Sequence, residues 1–137
     1  MKNVIGVLLM VLALGVMIVP HFNTCEYNGK VIQLPSGATT PMKCTYSAEA
    51  EIAAGIPLFV LGALVVVARR KETLNVLMAV GAVLGVIIIL IPTNLIGVCS
   101  SMMPCNTFMQ PFLILMGAIV VAVTLAFLAF SAMHKEQ

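Results

Sequence analysis

The sequence predicts an all-α membrane protein built as a bundle of four transmembrane helices. Hydrophobic residues make up 61% of its 137 residues and charged residues only 9%, against about 45–50% and about 25% in an ordinary soluble domain. A soluble domain of this size could not bury so much apolar surface. The apolar residues also form four charge-free runs, which cover residues 4–19, 52–68, 74–91 and 112–132.

Three of these runs are long enough to cross a hydrocarbon core of about 30 Å, which takes roughly 17–25 helical residues. The first run is marginal and qualifies if its helix continues through Pro20 to Phe22. The residues before Cys25 offer no small-residue cleavage site, so we expect this segment to be retained rather than removed as a signal peptide. We expect one membrane domain over residues 1–137, with helices at about residues 4–22, 48–68, 73–92 and 107–133.

The basic residues predict the orientation of the bundle, because they resist transfer across a membrane. Five basic residues fall on one side of the predicted bundle: Lys2, Arg69, Arg70, Lys71 and Lys135. The other two, Lys30 and Lys43, fall on the opposite side. Both termini are therefore expected in the cytoplasm, and the loops over residues 21–47 and 93–106 outside it. No charged residue falls within an apolar run, which argues against an ion pathway through the bundle.

Polar residues and prolines predict where the helices begin and end. Glu49 and Glu51 are expected in the first turn of the second helix, where they complement the positive end of its dipole. Pro20 and Pro92 are expected to close the first and third helices. The fourth helix should be capped by Asn106 or Thr107.

The first outer loop is expected to form part of a small cap outside the membrane. Its Asn28–Gly29 pair is typical of a two-residue turn, which predicts a β-hairpin over residues 26–33. Residues 34–41, which contain two prolines and a glycine, are expected to return the chain as irregular loop.

The two halves of the chain resemble each other. A predicted helix closed by Pro20 is followed by a loop with two cysteines, and the same arrangement follows Pro92. The two helices also begin with similar residues, Asn3-Val4-Ile5 and Asn75-Val76-Leu77. This pattern predicts a tandem duplication of a helical hairpin. The repeat would make two pairs of cysteines equivalent, Cys25 with Cys99 and Cys44 with Cys105.

Small residues mark the expected contacts between helices. In lipid, helices associate through close van der Waals packing, which glycine allows. Gly81 and Gly85 form the one exact G-x-x-x-G spacing, and Pro57 should kink the second helix. The residues expected at helix contacts are Gly55, Pro57, Gly62, Gly81, Gly85 and Gly117.

All four cysteines lie in the two predicted outer loops, which predicts a disulfide framework on an oxidising side of the membrane. Three pairings are open in principle. The duplication favours one bridge in each hairpin, Cys25 with Cys44 and Cys99 with Cys105. On this interpretation the bridges staple an outer cap, and neither a metal nor a cofactor is expected.

Two chemical interpretations of the same loops stay open. In the first, the thiols exchange electrons with a quinone. This is supported because Cys44 and Cys105 each precede a helix N-terminus, whose dipole would stabilise a thiolate. The sequence has no C-x-x-C motif, however. In the second, the loops bind Cu(I), which prefers thiolate and thioether ligands. The sulfur-rich set comprises His21, Cys25, Met42, Cys44, Cys99, Met102, Met103, Cys105 and Met109, with His21, Cys44, Met102, Met103, Cys105 and Met109 as the first candidates.

Two segments carry a resemblance to a known family: Met42-Lys43-Cys44-Thr45 ahead of Ala48-Glu49-Ala50-Glu51, and Gly97-Val98-Cys99 running on to Met103-Pro104-Cys105-Asn106-Thr107. They are similar to small bacterial four-helix membrane proteins catalogued as domain of unknown function 4418. A His often follows M-[KR]-C in that family, and Thr45 takes its place here, which weakens a family-wide metal or acid–base role at that position. The resemblance implies a multi-pass protein of the bacterial cytoplasmic membrane, often associated with ABC transporters of the macrolide-exporter type.

The composition also bears on function. With five acidic residues and two His, the chain has few groups for acid–base catalysis, and it has no basic run for nucleic acid. We therefore expect a non-enzymatic subunit that lies in the bilayer and carries a disulfide-stapled cap, and the family resemblance implies that it is an accessory subunit that partners an ABC-type permease. A thiol-redox or Cu(I)-binding membrane protein is the alternative, and the oligomeric state stays open.

Mass spectrometry of the protein with and without reduction tests the disulfide framework. If the cap is only a scaffold, two bridges persist in the native membrane and respond neither to quinone nor to copper. Free thiols in the native membrane would contradict the framework and favour one of the two chemical interpretations.

Overall fold

The computed structural model describes residues 2–24, 29, 31–99 and 105–133. Its helices are α1 (Lys2–Phe22), α2 (Lys43–Val67), α3 (Lys71–Leu90) and α4 (Gln110–Met133). A π-helical turn at Ile91–Leu95 extends α3, and a second one at Cys105–Met109 leads into α4. The four helical segments are long and apolar enough to cross a membrane. The chain is therefore a multi-pass membrane protein, as predicted.

The helices pack as two hairpins. α1 lies along α2 and α3 lies along α4, and both contacts are far more extensive than those of α2 with α3 or of α1 with α4. The core between them is formed by fully buried side chains such as Leu9, Leu58, Met78 and Leu113. This arrangement is the one that a duplicated hairpin would produce, and the duplication itself stays a prediction.

The two ends of the bundle differ in their residues. A short turn joins α2 to α3 at Ala68–Arg70 and places Arg69 and Arg70 at what we call the arginine end, where both are exposed. At the opposite end α1 and α3 finish and α2 and α4 begin. Because Cys44, Cys99 and Cys105 lie there, we call it the cysteine end.

Glycines lie where the helices of each hairpin come closest. A Cβ added at Gly62 of α2 would lie 2.9 Å from the carbonyl oxygen of Gly6 in α1. A Cβ added at Gly117 of α4 would lie 2.9 Å from the carbonyl oxygen of Gly85 in α3. Each hairpin is thus held by a contact between two backbones, in which a side chain on either glycine would force the helices apart. Gly6 was not among the residues expected at helix contacts.

The other residues expected at helix contacts are divided between the core and the surface. Gly55 packs against the side chain of Met17, and Gly81 packs against Thr124. Pro57 lies within α2 and is exposed. It lines a shallow apolar groove along the sparser contact between α2 and α3.

Neither proline that was expected to close a helix does so. Pro20 lies within α1, which continues to Phe22, and Pro20 is fully buried. Pro92 lies within the π-helical turn that carries the helix on to Leu95. Proline removes one backbone donor there, and the hydroxyl of Thr93 donates to the carbonyl oxygen of Ile89 at 2.7 Å. Both helical segments therefore continue past their prolines at the cysteine end.

All four helical segments begin before their predicted starts, and two of these shifts change the roles expected of polar residues. α2 begins at Lys43, so Glu49 and Glu51 lie beyond its first turn, and Glu51 is fully buried. A buried carboxyl group therefore lies within a helix that is long and apolar enough to cross a membrane. The π-helical turn at Cys105–Met109 likewise contains Asn106 and Thr107, so neither residue is an N-cap of α4.

A two-stranded antiparallel sheet lies in the first loop. Strand β1 (Ile32–Gln33) pairs with strand β2 (Thr39–Thr40), so the second strand falls in the stretch that was expected to be irregular. The turn between the strands is closed where Leu34 N–H donates to Ala38 O at 2.9 Å, and Gly37 takes a φ of +79°. The predicted hairpin over residues 26–33 is not the one observed, and its first part lies outside the described residues.

Alanine at Gly62 or Gly117 is expected to destabilise the bundle by about 1–3 kcal/mol, because the added Cβ has no room beside the facing carbonyl oxygen. The free energy of unfolding, measured by titration with SDS in mild detergent, checks this. Gly15→Ala is the matched control, since a Cβ at Gly15 meets Met116 at an ordinary 3.6 Å. A Gly62→Ala variant as stable as Gly15→Ala would contradict the packing described here.

Candidate metal centre

Three cysteines from separate segments meet at the cysteine end. Cys44 lies in the first turn of α2, Cys99 in the loop after α3, and Cys105 at the start of the π-helical turn before α4. Their three Sγ atoms lie within 4.8 Å of one another, and the Sγ atoms of Cys44 and Cys99 are 3.9 Å apart. Cys44 and Cys105 are fully buried, whereas Cys99 is partly exposed. We call these three residues the three-cysteine centre.

The early start of α2 places Cys44 in this centre. Since the helix begins at Lys43, Cys44 opens the buried face that continues through Ala48 and Leu58. Met42, immediately before the helix, packs against the same core. A loop at this position would have left Cys44 unconstrained, whereas the helix directs it toward the second hairpin.

A glycine turn brings Cys99 back to Cys44. At the end of the π-helical turn, the N–H groups of Ile96 and Gly97 both donate to the carbonyl oxygen of Ile91, at 3.1 and 3.2 Å. Gly97 takes a φ of +76°, a conformation that costs other residues about 1–2 kcal/mol. The chain reverses at this point, and Cys99 follows two residues later. Gly97 is therefore a positioning residue of the centre that the sequence reasoning missed.

The third cysteine lies in a turn of unusual geometry. Cys105 and Met109 are the first and last residues of one π-helical turn, and both are fully buried. π-Helical turns are rare and occur frequently at functional sites. This turn places a thiol and a thioether in the core at the cysteine end.

The residues predicted as Cu(I) ligands are only partly brought together. Cys44 and Cys105 join the centre, and Met109 is buried near the start of the same helix. His21 lies outside the three-cysteine centre: its ring is exposed and packs edge-to-face on Phe22 with centroids 5.2 Å apart. The predictions for Cys25, Met102 and Met103 lie outside the described residues.

The disulfide framework is not supported. Cys44 and Cys99 carry free thiols, and their sulfur atoms are much farther apart than the roughly 2.05 Å of a disulfide bond. The pairing expected from the duplication would join cysteines within each hairpin. The structure does bring Cys99 and Cys105 of the second hairpin close together, but it also places Cys44 of the first hairpin beside them.

The spacing of the three thiols suits one thiophilic metal ion. Thiolate–metal bonds of about 2.3 Å hold two sulfur atoms about 3.8 Å apart in a tetrahedral arrangement and about 4.0 Å apart in a trigonal one. The 3.9 Å between Cys44 and Cys99 falls between these values. The widest separation in the centre, 4.8 Å at most, would have to close by less than about 1 Å.

Comparisons with known proteins agree with the resemblance noted in the sequence. A family model described as "Domain of unknown function (DUF4418)" matches residues 3–130. No curated protein and no solved structure matches the chain.

Mild oxidation is expected to join Cys44 to Cys99 in a Cys25→Ser/Cys105→Ser double variant, because the two sulfur atoms need to move only about 2 Å to bond. Peptide mass spectrometry without reduction identifies the product. Adding Gly97→Ala should slow the reaction, since alanine is strained at a φ of +76° and shifts Cys99. Failure to form the Cys44–Cys99 bridge would contradict the geometry of the centre.

Proposed function

The chain belongs to the DUF4418 family, whose description assigns no activity. From the three-cysteine centre, we propose that it is a membrane protein that binds Cu(I). The observation that carries the proposal is the approach of three sulfur atoms, from Cys44, Cys99 and Cys105, to within 4.8 Å of one another. Thiolates are soft ligands, which suit thiophilic metals such as Cu(I) and zinc.

The number and type of ligands favour Cu(I) over zinc. Structural zinc sites hold four ligands in a tetrahedral arrangement, whereas Cu(I) is satisfied by three thiolates. Among the described His, Cys and Glu side chains, only the three thiols come together in this centre. Burial of Cys44 and Cys105 would shield two of the three sulfur ligands of a bound Cu(I) from solvent.

We place the centre on the outer face of a bacterial cytoplasmic membrane. The distribution of Lys and Arg supports this orientation, with Arg69 and Arg70 between α2 and α3, and Lys71 at the start of α3, on the cytoplasmic side. The cysteine end would then face the outside, with both termini in the cytoplasm. In the predicted duplication, each half contributes to the centre through its outer loop.

Thiol redox chemistry is the second candidate function. The 3.9 Å between the Cys44 and Cys99 sulfur atoms supports it, because oxidation of this pair would need little movement of the backbone. Oxidation would remove two of the three metal ligands. A redox role and Cu(I) binding therefore predict different states of the same two thiols.

Association with an ABC-type permease stays a prediction from the family resemblance. Metal binding and a permease partner are compatible, since the centre lies at one end of the bundle and the apolar helix surfaces remain available for contact. Co-purification with a permease from native membranes in mild detergent tests the association. A protein that is solitary under those conditions would count against it.

The reduced protein is expected to bind one Cu(I) per chain. Serine at Cys44, Cys99 or Cys105 should weaken Cu(I) binding by at least about 100-fold, because even the loss of a residue that only supports a metal ligand lowers metal affinity by about 10–100-fold. Anaerobic competition with a chromogenic Cu(I) chelator measures the affinity. His21→Ala is the matched control: it removes the predicted imidazole ligand that lies outside the centre, so its affinity should stay that of the native chain.

Three results would overturn the Cu(I) assignment. Equal affinities in the native chain and all three serine variants would show that the thiols hold no copper. Tighter binding of Zn²⁺ than of Cu(I) would assign the centre to zinc. Recovery of the native protein with Cys44 and Cys99 joined by a bridge would favour the redox function.

A further inference from the structure

The buried face of α2 continues inward from Cys44 with two more polar side chains, Ser47 and Glu51. Both are fully buried. Neither the Ser47 hydroxyl nor either carboxyl oxygen of Glu51 has a hydrogen-bond partner among the residues that the structure describes. Spacings of three and four residues stack the three side chains on one face of the helix. A thiol, a hydroxyl and a carboxyl therefore form a polar file that leads from the three-cysteine centre into the bundle.

The polar file ends at Glu51. Farther along α2 the buried face carries Ala54, Leu58 and Leu61, which are apolar. The Cα atom of Glu51 lies about 10.5 Å along the helix axis from that of Cys44, at 1.5 Å per residue. Side chains of a helix lean toward its N-terminus, which brings the carboxyl group nearer to the thiols. On the buried face of α2, polar side chains thus lead to Glu51 from the cysteine end and do not continue toward the arginine end.

No described neighbour brings a positive charge to Glu51. α1, which packs along α2, has no titratable residue between Asn3 and Pro20, and its His21 is exposed. The π-helical turn at Ile91–Leu95, which also contacts α2, has none. On α3, Lys71 and Glu72 are exposed at the arginine end. Among the described residues, the thiols of Cys44, Cys99 and Cys105 lie at the open end of the polar file, and the other titratable side chains of α2 are exposed, namely Lys43, Tyr46 and Glu49.

We infer that Glu51 is a proton-binding site inside the bundle, which is loaded from the cysteine end by way of Ser47. A bare carboxylate here would be a buried charge without a partner, so the group needs a bound cation. A metal cation needs several oxygen ligands, and the polar file supplies only the hydroxyl and the carboxyl. A proton needs no further ligand. The inference goes beyond Cu(I) binding and does not depend on it.

A lipid-soluble carbodiimide, dicyclohexylcarbodiimide, tests the site in membranes that contain the full chain. The carboxyl proton passes to a carbodiimide nitrogen while a carboxyl oxygen bonds the central carbon. The resulting O-acylisourea rearranges to an N-acylurea without loss of atoms, so the labelled peptide gains the mass of one carbodiimide. We expect the native chain to carry the label on Glu51, and peptide mass spectrometry reads its position without any substitution.

Two variants make the labelling specific. Glu51→Gln should lose the label, because glutamine has no acidic proton to transfer. Glu49→Gln is the matched control, since Glu49 lies two residues earlier on the exposed side of α2, and it should keep the label. Labelling that follows Glu49, or that is equal at both positions in the native chain, would overturn the inference.

The direction of loading is tested with sealed vesicles whose pH is set separately on each side. Raising the pH at the cysteine end should reduce labelling of Glu51, and raising it at the arginine end should not. The reverse dependence would overturn the proposed path.

Serine at Cys99 should abolish tight Cu(I) binding and leave labelling of Glu51 intact, so a failure of the metal proposal and a failure of the proton site give different results.

Discussion

Contact between glycine backbones holds each helical hairpin together, and the positions of the other groups follow from it. In lipid there is no hydrophobic drive between apolar helices, so close van der Waals packing must supply the attraction. The Gly6–Gly62 contact joins α1 to α2, and the Gly85–Gly117 contact joins α3 to α4. These contacts fix how each helix is rotated about its axis. The rotation of α2 in turn decides that Cys44, Ser47 and Glu51 face the interior of the bundle rather than lipid.

Most of the irregular backbone that the structure describes lies at the cysteine end, together with the three thiols. It contains both π-helical turns, the positive φ of Gly97 and the three thiols. Irregular backbone is tolerated at membrane depth only where protein covers it or where it lines a cavity. The irregular turns shape the three-cysteine centre, since a regular helix through Cys105 or Cys99 would aim those residues elsewhere. The arginine end, by contrast, needs only a short turn between α2 and α3.

Hydropathy predicted the four helices and the membrane class, because both depend on local runs of apolar residues. Hydropathy placed the start of α2 too late, because the segment from Lys43 to Glu51 is polar. This segment was interpreted as a loop followed by the charged first turn of the helix. Helical propensity and burial of one face extend the helix through this stretch, and hydropathy reports neither. The cysteine arrangement was missed for a different reason. The repeat favoured pairing of cysteines within each hairpin, whereas the approach of Cys44 to Cys99 and Cys105 is set by packing between hairpins.

The three cysteines also define how the two halves of the chain are connected. Cys44 belongs to the first hairpin, and Cys99 and Cys105 belong to the second. The peptide links the hairpins at the arginine end, and the contact between α2 and α3 is much sparser than the contacts within the hairpins. An ion held by all three thiols would add a second link at the opposite end and turn an open pair of hairpins into a closed ring. Occupancy of the centre would then set how freely the two hairpins move against each other.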